Sequence, residues 1–185
     1  MIITSRFLTV GLVAALVGAA AAADDATQAV KAGALSFKAP AAWKAETPSN
    51  QMRKAQMKVA PAAGDEEPAE LVVTAFPGGA GGVEANVKRW EGMFVDASKN
   101  TPKAKVEERK GINVEVTRVE VSGRFVAAMT PGQPGRQDKP NFRLLGAIVM
   151  TKDASYYFKL TGPEKTIAAA SKGFDALIES MKVDN

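Results

Sequence analysis

Four glycines within five positions, Gly78, Gly79, Gly81 and Gly82, stand directly ahead of a helical pattern that opens at Val83. Glycine-rich turns that lead into helices can hold phosphates, because the free backbone amides of the first turn point at the anion. A P-loop must end in Gly-Lys followed by Ser or Thr, whereas Gly81 and Gly82 are followed here by Val83 and Glu84. The dinucleotide pattern G-x-G-x-x-G, counted from Gly79 and Gly81, asks for a third glycine where the chain has Glu84. A carboxylate in the first turn complements the positive end of the helix and repels a bound anion. The run therefore reads as a tight strand-to-helix turn, with glycines supplying positive φ or close approach.

The chain contains no histidine and no cysteine. Serine–histidine and cysteine–histidine nucleophile pairs are excluded, as are zinc sites built on imidazole or thiolate. Any catalysis would rest on carboxylates, lysine, tyrosine or a hard metal held by oxygen. The acidic run Asp65, Glu66 and Glu67, with Glu70 nearby, offers oxygens of the kind calcium takes. Calcium needs about six to eight of them converging on one point, and adjacent side chains in a loop diverge. A solvated loop is expected there, and no cofactor.

Contact chemistry is better represented. Residues 130–141, TPGQPGRQDKPN, form a proline- and glycine-rich loop that is long for a connection inside a compact domain. It carries Arg136 and Lys139, with Arg143 just beyond. Long loops held by a rigid sheet are common homes for binding. Lys54 and Lys58 add a basic, wet strand face, because in residues 51–59 they alternate with Arg53, Ala55, Met57 and Val59. Arg136, Lys139, Arg143, Lys54 and Lys58 are the candidate contact residues. Arg53, on the face assigned to the core, must lie at a sheet edge or pair with an inward carboxylate. Tyr156 and Tyr157 are neighbours on a strand, so one is expected to face inward and the other outward beside Lys159.

The elements that would position these groups follow from periodicity. Strands are expected over 33–40, 51–59, 70–76, 104–108, 112–121, 142–151 and 155–162. In the fifth of these, Ile112, Val114 and Val116 fall on one face and Val119 and Val121 on the other, which predicts a bulge near Thr117–Arg118. Val83, Val87, Trp90 and Phe94 share one stripe of a first helix. Pro163 then opens a closing helix with its stripe at Ile167, Ala170, Phe174, Leu177, Ile178 and Met181. Hairpin-like spacing between strands gives an α+β class: a mostly antiparallel sheet with two main helices packed on it.

The beginning of the sequence reads as an export signal over residues 1–23. Arg6 supplies charge, an apolar run extends from Phe7 to Val17, and a string of alanines from Ala19 to Ala23 ends at Asp24. That run, about eleven residues, is too short to span a hydrocarbon core of roughly 30 Å. Residues 24–32 are expected to be a short flexible leader and 33–185 one domain, secreted or periplasmic and not membrane-spanning once the signal is removed. The whole chain has a net charge of +4, and its basic residues are dispersed. Nucleic-acid binders carry a denser basic face, so no nucleic-acid partner is expected.

Several stretches taken together carry a resemblance. Residues 37–56 (FKAPAAWKAETPSNQMRKAQ), 70–94 (ELVVTAFPGGAGGVEANVKRWEGMF), 121–125 (VSGRF), 139–149 (KPNFRLLGAIV) and 156–166 (YYFKLTGPEKT) resemble a family of exported bacterial proteins of uncharacterised function. That resemblance implies no catalytic residue. The layout is also similar to the PsbP-like fold, with a first strand ending in Pro-x-x-Trp, a central sheet and a closing helix after a hairpin. This likeness implies docking onto other proteins rather than catalysis. The expectation is an exported, non-enzymatic binding or accessory module facing an envelope protein or an anionic surface component. A carboxylate-based hydrolase or lyase, or a carrier of a small ligand, is the alternative.

Overall fold

The segments LVVTAF and YYFKL carry apolar or aromatic residues at successive positions, so both faces of their strands must be covered. The computed structural model describes residues 26–127 and 137–184. In chain order the elements are β1 (Thr27–Ala32), β2 (Leu35–Pro40), β3 (Lys44–Glu46), β4 (Arg53–Val59), β5 (Ala69–Pro77), α1 (Val83–Glu91) and β6 (Phe94–Val95). There follow β7 (Lys105–Lys110), β8 (Glu115–Phe125), β9 (Lys139–Met150), β10 (Ala154–Pro163), α2 (Glu164–Glu179) and β11 (Lys182–Val183). The large sheet runs β3-β4-β5-β10-β9-β8-β6, and β7 pairs with another stretch of β8. A smaller sheet has the order β1-β2-β11.

Alternation along the central strands feeds two cores. Leu71, Val73, Phe158, Leu160, Leu145 and Ala147 point to one face, where they meet Ile167, Phe174 and Leu177 of α2 and Phe37 of β2. The Phe37 and Phe158 rings meet edge to face at 5.1 Å. Tyr157, Ile148, Leu144, Val119 and Val121 point the other way, under Val87 and Trp90 of α1 and Phe94 of β6. Each fully buried Leu, Ile or Phe contributes roughly 1.5–3 kcal/mol, so these two layers, not surface ion pairs, carry the stability.

The result is a mostly antiparallel sheet with two helices, as the pattern predicts, but with more strand than expected. Residues 27–32 are not a flexible leader: they form β1, paired residue for residue with β2 from Thr27 opposite Pro40 to Ala32 opposite Leu35. The first helix stops at Glu91, with Gly92 as its C-cap, so Phe94 enters β6 and pairs with Phe125. No bulge occurs at Thr117–Arg118. Val116 and Val119 face different cores of a sheet buried on both sides, and the register shifts further on, between Gly123 and Phe125. The same two-sided cover buries both tyrosines, at 3% and 4% exposure for Tyr156 and Tyr157, so neither faces outward.

The glycine run is a turn. Gly78, Gly79 and Gly81 have φ of 73°, 89° and 89°. The Asn86 amide nitrogen lies within hydrogen-bond distance of the carbonyls of Ala80, Gly81 and Gly82, and the Tyr157 hydroxyl donates to the Gly81 carbonyl. Carbonyls rather than amides face these side chains, the reverse of an anion cradle.

Gly146 lets α1 reach the sheet. A Cβ at this position would stand 2.2 Å from Trp90 Cζ3 and 2.8 Å from Cε3. Gly146→Ala should therefore destabilise the fold by about 2 kcal/mol through overpacking, as read by urea unfolding. Adding Trp90→Phe should recover part of that loss, and full additivity of the two changes would contradict the contact.

Candidate functional site

The basic residues singled out by the sequence are mostly tied to acids. Arg143 Nη2 donates to Glu164 Oε1 at 2.5 Å, and its Nη1 lies 3.5 Å from Glu120 Oε1. Its buried Nε has no hydrogen-bond partner among the described residues. Lys139 Nζ donates to Glu67 Oε1 at 2.5 Å. Lys58 Nζ pairs with Glu46 at 2.7 Å, and Lys54 Nζ donates to the carbonyl of Gln51 at 2.9 Å. Arg136 lies outside the described residues. The five do not form one surface. Lys58 is on β4, three strands from β9 and so about 14 Å away laterally, and the register puts it on the opposite face from Arg143.

The acidic loop is structural as well. Pro163, the N-cap of α2, offers no side-chain oxygen, and Asp65 fills the gap from another part of the chain. Its Oδ2 accepts from both the backbone nitrogen and the hydroxyl of Thr166, each at 2.8 Å. With the Glu67–Lys139 and Glu164–Arg143 pairs, this makes a polar seam joining the 61–70 loop, β9 and the start of α2. A related bond lies under α2, where buried Arg118 donates from Nε to Asp175 at 2.7 Å and from Nη1 to Glu120 at 3.1 Å. Burial opposes the Arg118 charge, but Asp175 and Glu120 outweigh it and hold the guanidinium protonated.

Arg53 is also explained. Its register passes from Thr74 at Arg53 to Val73 at Ala55, so Lys54 is an extra, bulged residue. The bulge moves Arg53 off the core face, where it donates to Gln56 at 2.9 Å and lies 3.6 Å from Glu70.

An open cleft of about 880 Å³ lies at the end of the large sheet where β6, β8 and β9 meet. Asp96, Lys99, Arg124, Gln137, Asp138 and Asn141 contribute to its walls. Among the described residues, the non-glycine positions with positive φ are Lys99 (64°) and Asn141 (54°), and both line this cleft. Asp96 Oδ1 accepts from the amides of Ser98 and Asn100, each at 2.8 Å, and so fixes the turn that presents Lys99. Arg124 pairs with Asp138 across the wall. Next to Arg124 along β8, Phe125 stacks on Phe142 and meets Phe94 edge to face in the α1-side core. Strained backbone supported by side-chain bonds is a feature of built sites, and the volume falls in the range of ligand pockets.

The cleft's two carboxylates are already engaged, Asp96 by amides and Asp138 by Arg124. Elsewhere, Glu46, Glu84 and Glu107 are each held below the usual carboxylate range by a lysine, and Asp184 by Ser36 and Lys31. A general acid needs the opposite displacement.

No family model matches the chain, and no curated protein matches it in sequence. Its architecture is similar to the solution structure of cyanobacterial PsbP (CyanoP) from Synechocystis sp. PCC 6803. The two superpose with a TM-score of 0.52 over 91% of this chain and 98% of that one, at 14% sequence identity. The fold is PsbP-like. At that identity the likeness concerns the PsbP-like arrangement of strands and helices alone. Among the described residues, no helix is long and apolar enough to cross a membrane.

The loop singled out by the sequence lines part of the cleft through Gln137, Asp138, Pro140 and Asn141, but the rest of the cleft and Asp65's role depend on residues far apart in the chain. If the seam is structural, Asp65→Ala should cost about 1 kcal/mol as a lost cap. Arg143→Ala should cost about 1.5 kcal/mol through its charged hydrogen bonds. Lys139→Ala, a surface pair, should change stability by less than about 0.5 kcal/mol. Denaturant unfolding of the three variants reads this order, and an equal loss at Lys139 and Arg143 would contradict it.

Proposed function

We propose that the chain is an exported, non-enzymatic binding module that docks on a partner in the cell envelope, using the cleft between β6, β8 and β9 as its contact surface. The observation that carries this reading is the cleft's construction. Two non-glycine residues are held at positive φ on its walls, where Lys99 and Arg124 stand with Asp96 and Asp138. A mixed-charge concavity suits recognition of a polar protein segment better than proton transfer, because its carboxylates are fixed by bonds of their own. The PsbP-like arrangement supports the same reading, since the resemblance implies docking rather than catalysis. Export rests on the signal-like pattern of residues 1–23. Lys139, at the start of β9, lies near the cleft. Lys54 and Lys58 lie on β4, remote from it, and would contribute only if the partner wraps the sheet.

A carboxylate-based hydrolase or lyase gains less support. It needs two facing carboxyls with one raised in pKa, and the displaced carboxyls among the described residues move downward.

Two measurements test the proposal. Amino-terminal sequencing of the protein recovered from the extracytoplasmic fraction should begin after Ala22 or Ala23; a full-length chain retained in the cytoplasm would defeat the export claim. A photo-crosslinker at position 99 in intact cells should capture one dominant envelope protein, while the same group at position 31 on β1 should not. Equal capture from both positions, or none from position 99, would rule out the cleft as the docking surface.

A further inference from the structure

A second site candidate lies on a different part of the sheet and does not depend on the docking proposal. The strand register sets three parallel rows across the face that α1 covers. Arg53, Thr74, Tyr157 and Ile148 lie side by side in the first row. Gln56, Val72, Lys159 and Gly146 make the second, and Lys58, Glu70, Thr161 and Leu144 the third. Trp90 rests on Gly146, and Asn86 reaches the Tyr157 hydroxyl at 3.3 Å, so α1 packs over β9 and β10. The β4 and β5 ends of the rows form a polar shelf, with Arg53, Gln56, Glu70 and Thr74 all partly exposed.

The charges on this shelf do not balance. Among the described residues, the cations Lys44, Arg53, Lys58, Arg89 and Lys159 share this face with the acids Glu46 and Glu70. Both acids are already committed. Glu46 takes Lys58, Glu70 takes Arg53 at 3.6 Å, and the Gln56 amide donates to both, at 3.2 and 2.8 Å. Arg89 Nη1 donates to a neutral group, Asn86 Oδ1, at 2.6 Å. Lys159 lies half-buried in the row beside that of Arg53, on the face where Arg89 is tied through Asn86 to Tyr157. Burial, with the fields of those two guanidiniums, holds its ammonium below the ordinary lysine range, and Glu70 opposes them only in part. A partly desolvated cation without its own acid is unfavourable to the fold. Such an arrangement is expected where a ligand brings the missing charge.

We propose that this shelf binds a phosphate group, seated against Lys159 between Arg53 and Arg89. Arg89 and Lys159, which have no ion pair among the described residues, offer two charges to a phosphate dianion, and guanidinium donors suit its oxygens. The group can come from a soluble phosphate compound or from a lipid headgroup.

The pH dependence follows directly. A lysine whose pKa is lower folded than unfolded binds more protons in the unfolded state. The chain should therefore gain stability as pH climbs from the folded pKa of Lys159 toward the ordinary lysine value, and phosphate should flatten that slope. Lys159→Met keeps the stem, removes the charge, and should leave the chain at least as stable at neutral pH.

The test follows the Lys159 ε-methylene resonances by NMR during pH titration, in chloride and in about 10 mM inorganic phosphate at matched ionic strength. The expected result is an apparent pKa below that of the exposed lysines in chloride and a clear rise in phosphate. The exposed helix-surface variant Arg89→Gln should weaken the phosphate response about tenfold, one decade in affinity, without unfolding the chain. Co-sedimentation with phosphatidic acid vesicles, competed by phosphate, would identify a lipid source, and phosphate binding without co-sedimentation would identify a soluble one. A Lys159 titration indifferent to phosphate would overturn the proposal, as would an Arg89→Gln response equal to the parent.

Discussion

The need to cover both faces of β5, β10 and β9 governs this structure. Their side chains are apolar or aromatic at consecutive positions, so a helix on one side alone would leave a row of large side chains in water. The chain meets the requirement with unequal covers. α2 and the β1-β2-β11 sheet close one face over a broad core. The shorter α1, with β6, closes only the β10, β9 and β8 side of the other. Gly146 is where the second cover is tightest, because Trp90 lies against its backbone.

Unequal cover explains where polar groups collect. On the α2 side, Arg118 is paired with Asp175 and Arg143 with Glu164. Asp65 and Glu67 complete that seam, so an acidic run that looks like a loop feature anchors the start of a helix. On the other side, the uncovered β4 and β5 ends tolerate a cationic excess around Lys159. At the sheet's end, the meeting of β6, β8 and β9 leaves a cleft, with a register shift and left-handed residues on its walls.

Much of the framework was legible in the sequence. Both helical stripes repeat at the helical period, and the main strands stand out through β-branched and aromatic residues bounded by turns. β1 was not legible, because TQAVKA is polar and short. It is held by β2 and by Gln28, which bonds the carbonyls of Pro40 and Trp43 from more than ten residues away. The orientation of Arg53 was hidden by a single bulged residue, which reverses the alternation that sequence reading assumes. Tyr156 and Tyr157 misled for the opposite reason, since a strand buried on both faces has no outward side to predict. The basic candidates were visible as residues, but Lys139 and Glu67 are 72 positions apart, and composition cannot show that one neutralises the other.

Because both cores draw side chains from β9 and β10, they should unfold as a single cooperative unit. Native-state amide exchange with increasing denaturant tests this most directly. Amides of β5, β9 and β10 should exchange only through global unfolding, converging on one free energy whichever core their side chains face. Two separate steps, with amides beside the Trp90 layer released well before those beside the Phe158 layer, would show instead that the cores are independent.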